Sequence, residues 1–168
     1  MDDFQRWCDR ARAGVVGGRF AEAETAFREA LRQRPDDPRV AGELAVVLRR
    51  LRRPAEAEVL LRSAVAGAPQ IASLHAELGG VLFEQDRFTE AVLAFRDAVR
   101  LRPDFSKAHL TLGLALERQG DFAGAATASA SAGRRSRRST RARFSAVSAS
   151  DFRRNASRKA VAAPVKSP

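Results

Sequence analysis

Residues 72–105 read ASLHAELGGVLFEQDRFTEAVLAFRDAVRLRPDF. Leu74, Leu78, Val81 and Leu82 recur at helical spacing, so one apolar face forms before Gln85-Asp86-Arg87 interrupts the run. Phe88, Ala91, Val92, Phe95, Ala98 and Val99 then resume the same period. Pro103 stops this second run, because proline has no amide hydrogen and disfavours helix in the residue before it. The stretch therefore predicts two short helices joined by a tight turn.

The same text recurs at an offset of 34 residues. Ala23, Ala57, Ala91 and Ala125 share one register, and Ala30, Ala64, Ala98 and Ala132 share another. Pro35, Pro69 and Pro103 keep the spacing, as do Phe20, Phe88 and Phe122, with Pro54 in the aromatic's place in the second unit. No gap is needed, and four units follow: 4–37, 38–71, 72–105 and 106–139, the last of them degenerate. The alanines are small because two helices crossing at close range leave no room for bulk, and the aromatics fill the space beside them. A fixed period of this length is the mark of stacked helical repeats.

The pattern resembles the tetratricopeptide repeat. That family places a large apolar residue, then Leu-Gly or Leu-Ala, then a bulky residue in a first helix, followed by Ala, Phe, Ala and Pro. The units here supply Trp7, Ala11, Phe20, Ala23, Phe27, Ala30 and Pro35; Leu44, Ala45, Leu48, Ala57, Leu61, Ala64 and Pro69; Leu78, Gly79, Leu82, Phe88, Ala91, Phe95, Ala98 and Pro103; and Leu112, Gly113, Leu116, Phe122, Ala125 and Ala132. Arg10 and Gly14 depart from it in the first unit, which we attribute to an end repeat whose outer face meets water. Ser129 and Arg137 depart from it in the fourth, where the pattern fades. The resemblance implies an all-α, right-handed α-solenoid over residues 4–133, followed by a tail over residues 134–168.

The formal charge of +10 is uneven. Residues 1–132 carry 19 basic and 19 acidic side chains, whereas residues 133–168 carry 11 basic ones against Asp151 alone. The repeat region is therefore neutral and the tail strongly basic. Low hydrophobicity with high charge predicts a mostly disordered, low-complexity tail. Within it, Phe144, Val147 and Phe152 fall roughly on one side of a run free of Gly and Pro, enough for a short helix against the end of the stack. Such a tail predicts weak, sequence-independent nucleic-acid binding by charge alone. With Cys8 as the single cysteine, no intrachain disulfide can form. No apolar run follows Met1-Asp2-Asp3 and none approaches membrane-spanning length, so we expect a cytoplasmic chain without membrane attachment.

Catalytic constellations are not expected. His75 and His109 are the only histidines, stand 34 apart, and read as partly buried packing residues facing their own second helices; they are too few for a metal site. Cys8 has no histidine in its repeat and reads as a half-exposed thiol. Glu56 and Glu58 read as solvated carboxylates, and Gly17-Gly18 as a turn. No phosphate loop, nucleophile elbow or zinc-protease motif occurs. We therefore expect a non-catalytic chain without cofactor or metal.

The resemblance implies instead a concave groove lined by first-helix residues that holds a partner peptide. On this sequence that face maps to Arg12, Val46, Arg49, Arg50, Phe83, Glu84, Lys107, Leu110, Leu114, Glu117 and Arg118. The mixture suits apolar anchoring of a partner with acidic residues, since arginine grips a carboxylate through two parallel hydrogen bonds. Some members bind acidic chaperone tails through asparagines on first helices; the only asparagine here is Asn155, in the tail, which argues against that use. Three functions follow: a protein-interaction scaffold, a tail-driven nucleic-acid binder, and the repeat module of a larger or truncated enzyme.

Overall fold

The computed structural model describes residues 2–132, which are helical throughout apart from short turns. The expectations for the tail, and Arg137 with them, lie outside the described residues. Seven helices run α1 (Asp3–Val16), α2 (Phe20–Gln33), α3 (Pro38–Arg50), α4 (Pro54–Gly67), α5 (Ala72–Glu84), α6 (Phe88–Leu101) and α7 (Ser106–Gln119), and residues 122–132 form a further helical segment. Each helix packs on the next in chain order, and α3 also packs on α5. This is the helix-pair α-solenoid that the 34-residue period implies, with α1, α3, α5 and α7 as first helices.

Local chemistry sets the boundaries. Asp37 accepts from the amides of Arg39 and Val40 at 2.9 and 3.0 Å and caps α3, whose first residue is Pro38. Asp121 accepts from the Gly124 amide at 2.8 Å and opens the last segment. The turn inside each repeat is built the same way four times. Arg19, Arg53, Arg87 and Asp121 donate their amides to the carbonyls of Gly14, Leu48, Leu82 and Leu116 at 2.8 to 3.0 Å. These are six-to-one bonds of the Schellman type, and each requires a left-handed residue just before the donor. Gly18, Arg52, Asp86 and Gly120 hold that place, with φ of 71°, 62°, 59° and 91°.

Most of the crossing alanines are where the period puts them, while Ala64, Ala125 and Ala132 are only half-buried. Ala11, Ala23, Ala30, Ala45, Ala57, Ala91 and Ala98 are wholly buried, beside Phe27, Leu61 and Phe95. At Gly79 a β-carbon would come within 2.8 Å of the Phe95 ring, so the glycine is the space the aromatic occupies.

Two readings need correction. Gly14 is not a solvent-facing irregularity: it is buried, and a β-carbon there would meet the Ala23 β-carbon at 3.2 Å and the Arg19 carbonyl at 3.3 Å. The first helix pair closes too tightly for a large side chain. Cys8 is likewise buried rather than half-exposed, and that burial pushes its thiol pKa upward, away from reactivity.

Candidate binding groove

The first helices present four equivalent positions, 12, 46, 80 and 114, filled by Arg, Val, Gly and Leu. Around them the structure arranges the groove residues in two ways. Some tie neighbouring repeats together. Arg12 of α1 grips Glu43 of α3 through two bonds of 2.9 Å. Arg49 of α3 binds both carboxylate oxygens of Glu84 and one of Glu77, at 2.8 Å, on α5. Lys107 of α7 reaches the other oxygen of Glu77 at 3.3 Å. The Arg49 guanidinium lies over Gly80, where a β-carbon would approach it to 3.0 Å. Burial opposes its charge, but the bonds to Glu84 and Glu77 outweigh burial and raise its pKa. Arg12 is raised in the same direction, chiefly by its bond to Glu43.

The remaining groove residues are exposed, apart from half-buried Val46 and Phe83. Leu110 and Leu114, 52% and 47% exposed, form with Arg118 a stripe at i, i+4 and i+8 along α7. Arg118 lies 5.7 Å from the Phe83 ring centroid, and Phe83 packs edge-on against Phe88 with centroids 5.3 Å apart. Arg50 is exposed and has no ion pair among the described residues, while Val46 is half-buried. Two clefts open along the seam between α3 and α5. One, of about 430 Å³, is lined by Pro38, Arg39, Gly42, Glu43, Val46, Ile71, Ser73, Leu74 and Glu77. The other, of about 690 Å³, is lined by Phe20, Val46, Arg49, Arg50, Arg52, Glu77, Glu84 and Lys107. Arg52, in the turn after α3, is thus a lining residue that the mapping of first-helix positions passes over.

The histidines are structural. Each is buried, with Nε2 at 2.8 and 2.9 Å from the carbonyl oxygens of Pro69 and Pro103, and His75 Nδ1 stands 4.0 Å from Asp97 of its own second helix. Among the described residues no group of three His, Cys, Asp or Glu is placed to hold a metal, and no helix is long and apolar enough to cross a membrane.

Glu56 is solvent-exposed as expected but also ion-paired, whereas Glu58 is largely buried by its ion pairs. Glu24, Arg28, Arg53 and Glu56 close an alternating ring between α2 and α4 at 2.5 to 3.4 Å. Glu58, Arg62, Arg87 and Glu90 repeat it 34 residues on, at 2.7 to 3.2 Å. Beside the first ring lies an apolar cleft of about 680 Å³ walled by Leu31, Leu44, Leu48, Val59 and Leu60. Val59 and Leu93, 34 residues apart and exposed, leave apolar surface on the second helices.

Two family models described as tetratricopeptide repeat match the chain, over residues 17–78 and 77–139. Among curated proteins none matches. Solved structures with this architecture include MamA from Desulfovibrio magneticus RS-1, at 25% identity and a TM-score of 0.72, covering 80% of this chain and 76% of that one. Pseudomonas aeruginosa pilF is similar at 26% identity and a TM-score of 0.74, covering 80% of this chain and 62% of that chain. A Thermobaculum terrenum O-GlcNAc transferase matches at 29% identity and a TM-score of 0.65, over 68% of this chain but 22% of its own.

Proposed function

Because the chain belongs to the tetratricopeptide repeat family, whose stacks are protein-interaction scaffolds, we propose that it binds a segment of a partner protein in the groove formed by α1, α3, α5 and α7. The observation that carries the reading is the exposed α7 stripe of Leu110, Leu114 and Arg118 beside the α3–α5 clefts. Two leucines about half open to water on one helix face leave apolar area for a partner to cover. The partner is a protein or peptide with an apolar anchor and acidic flanks, and the groove acts by binding, with no catalytic step and no cofactor.

The test is capture of partners by the full-length chain beside a Val46→Glu/Leu114→Glu variant of unchanged helicity. Partners held by the parent and lost by the variant place binding in the groove. Partners indifferent to both substitutions place it elsewhere and sink the reading. A second reading has one observation in its favour: the Thermobaculum terrenum O-GlcNAc transferase carries this architecture over only 22% of its length. On that reading the chain is the repeat module of an enzyme, and the groove delivers a protein substrate.

A further inference from the structure

The larger α3–α5 cleft sets Arg49, Arg50, Arg52 and Lys107 against two carboxylates, Glu77 and Glu84. Both carboxylates are already engaged, Glu84 by Arg49 and Glu77 by Arg49 and Lys107. Arg50 and Arg52 line the same cleft and have no carboxylate within ion-pair distance among the described residues. The cleft therefore holds a surplus of two positive charges, and Phe20 and Val46 provide its apolar wall.

Arg52 adds an independent observation. Its φ of 62° is left-handed, and at the equivalent places the chain has Gly18, Asp86 and Gly120. Glycine adopts this conformation freely and aspartate tolerates it, whereas a long side chain gains nothing from it. The end of α3 favours a cation, but the left-handed backbone does not favour an arginine to carry it, and the side chain lines the cleft wall. A residue held in a disfavoured backbone conformation beside an open cleft is a reason to look for function there.

We propose that Arg50 and Arg52 form an anion subsite of the groove, receiving an aspartate or glutamate side chain of the bound segment while a neighbouring apolar residue rests on Val46 and Phe20. This rests on the groove reading above. The recognition groups are then the two free guanidiniums, which can each offer a planar pair of donors to a carboxylate. Arg49 is less suited to that task because its Nε, Nη1 and Nη2 are each already bonded to Glu84 or Glu77 of α5.

The experiment selects binders to the full-length chain from a random displayed peptide library and measures the enriched peptides against variants. The expected peptides carry Asp or Glu next to an apolar residue. Their affinity falls about tenfold with Arg50→Ala and again with Arg52→Gly, the loss of one charge-assisted contact each. Arg52→Gly at the same time raises the melting temperature, so a loss of binding there is not a loss of fold. Peptides lost on Val46→Glu but indifferent to both arginine substitutions would leave the groove reading standing and overturn the subsite. No enrichment, or binders indifferent to Val46→Glu as well, would overturn both. A phosphoserine version binding far more tightly than the aspartate peptide would overturn the choice of a carboxylate and assign the cleft to phosphorylated partners.

Discussion

One residue in each intra-repeat turn carries a positive φ, and the four copies let its cost be read within a single protein. Gly18 and Gly120 meet the requirement without a β-carbon, Asp86 tolerates it, and Arg52 pays the steric penalty. Arg52→Gly should therefore stabilise the fold by about 1 kcal/mol, and Gly18→Ala should destabilise it by about the same. Urea or thermal unfolding of the two variants checks both signs, and a destabilised Arg52→Gly would show that the arginine side chain contributes more than its backbone costs. The turns themselves were legible in the sequence, since Gly17-Gly18 and Gln85-Asp86-Arg87 fall at one register. The strain at 52 was not, because arginine carries no turn signal. Nor was the reason for Gly14. Repeat alignment marks it as a departure, but only the 3.2 Å approach to the Ala23 β-carbon shows that the site has no volume for anything larger.

Between second helices the two ion rings do what the sequence could only hint at. Glutamate and arginine alternating along helix surfaces fit solvated faces equally well. The rings arise because Glu24 and Glu58, Arg28 and Arg62, Arg53 and Arg87, and Glu56 and Glu90 are each 34 apart, so one solved ring implies the next. Most members are too exposed for any single pair to matter much. Glu24 and Glu58 are the exceptions, with side chains only 11% and 15% exposed and each paired to two arginines, and Glu58, bonded to both Arg87 and Arg62, is the one to test. Burial pushes its pKa up, but the bonds from Arg87, Arg62 and Gln85 outweigh this and hold it below the usual glutamate range. Glu56 and Glu90 are lowered as well, each chiefly by its bond from the arginine three residues before it. A carboxylate whose folded pKa is depressed contributes stability above its unfolded pKa and loses it as pH falls through the folded value. Melting temperature should therefore be flat near neutrality and drop on acidification below about pH 4.5, where unfolded glutamate begins to titrate. Glu58→Gln should lower stability at neutral pH by about 1 kcal/mol and flatten the acid limb. An acid limb unchanged in Glu58→Gln would remove the rings from the account of stability. Inside the groove the lesson is similar. The sequence located the cationic residues but not their occupation, because Arg12, Arg49 and Lys107 find their partners a whole repeat away.

Across the stack the repeats are alike in chain path and unlike in strength, and the asymmetry is directional. A solenoid is held by each unit's own packing plus its contacts with neighbours, so a weak end unfolds without the rest. The third ring is missing because Val92, Asp121 and Gly124 stand where the earlier rings have Glu58, Arg87 and Glu90, leaving Arg96 alone of the four. The large buried residue of the second helix is missing too: Phe27, Leu61 and Phe95 are buried, while their equivalent Ser129 is exposed. Phe122 is left 69% exposed where its counterparts Phe20 and Phe88 are half-buried. Amide exchange should consequently be fastest in residues 122–132 and α7, slower in α5 and α6, and slowest in α2 to α4, where the first ring and the largest apolar cluster lie. Ser129→Phe tests the cause. Its seat faces Gly113, which occupies the same place as Gly79 beneath Phe95, so the aromatic has a glycine to pack on. With the ring half covered, the gain should be about 1 kcal/mol and should appear as slower exchange in residues 122–132 and α7 while α2 to α4 stay unchanged. Slowing spread evenly over the stack would mean that the described repeats unfold as one unit. No slowing anywhere would mean that the missing ion ring, and not the missing aromatic, sets the weakness of the fourth repeat.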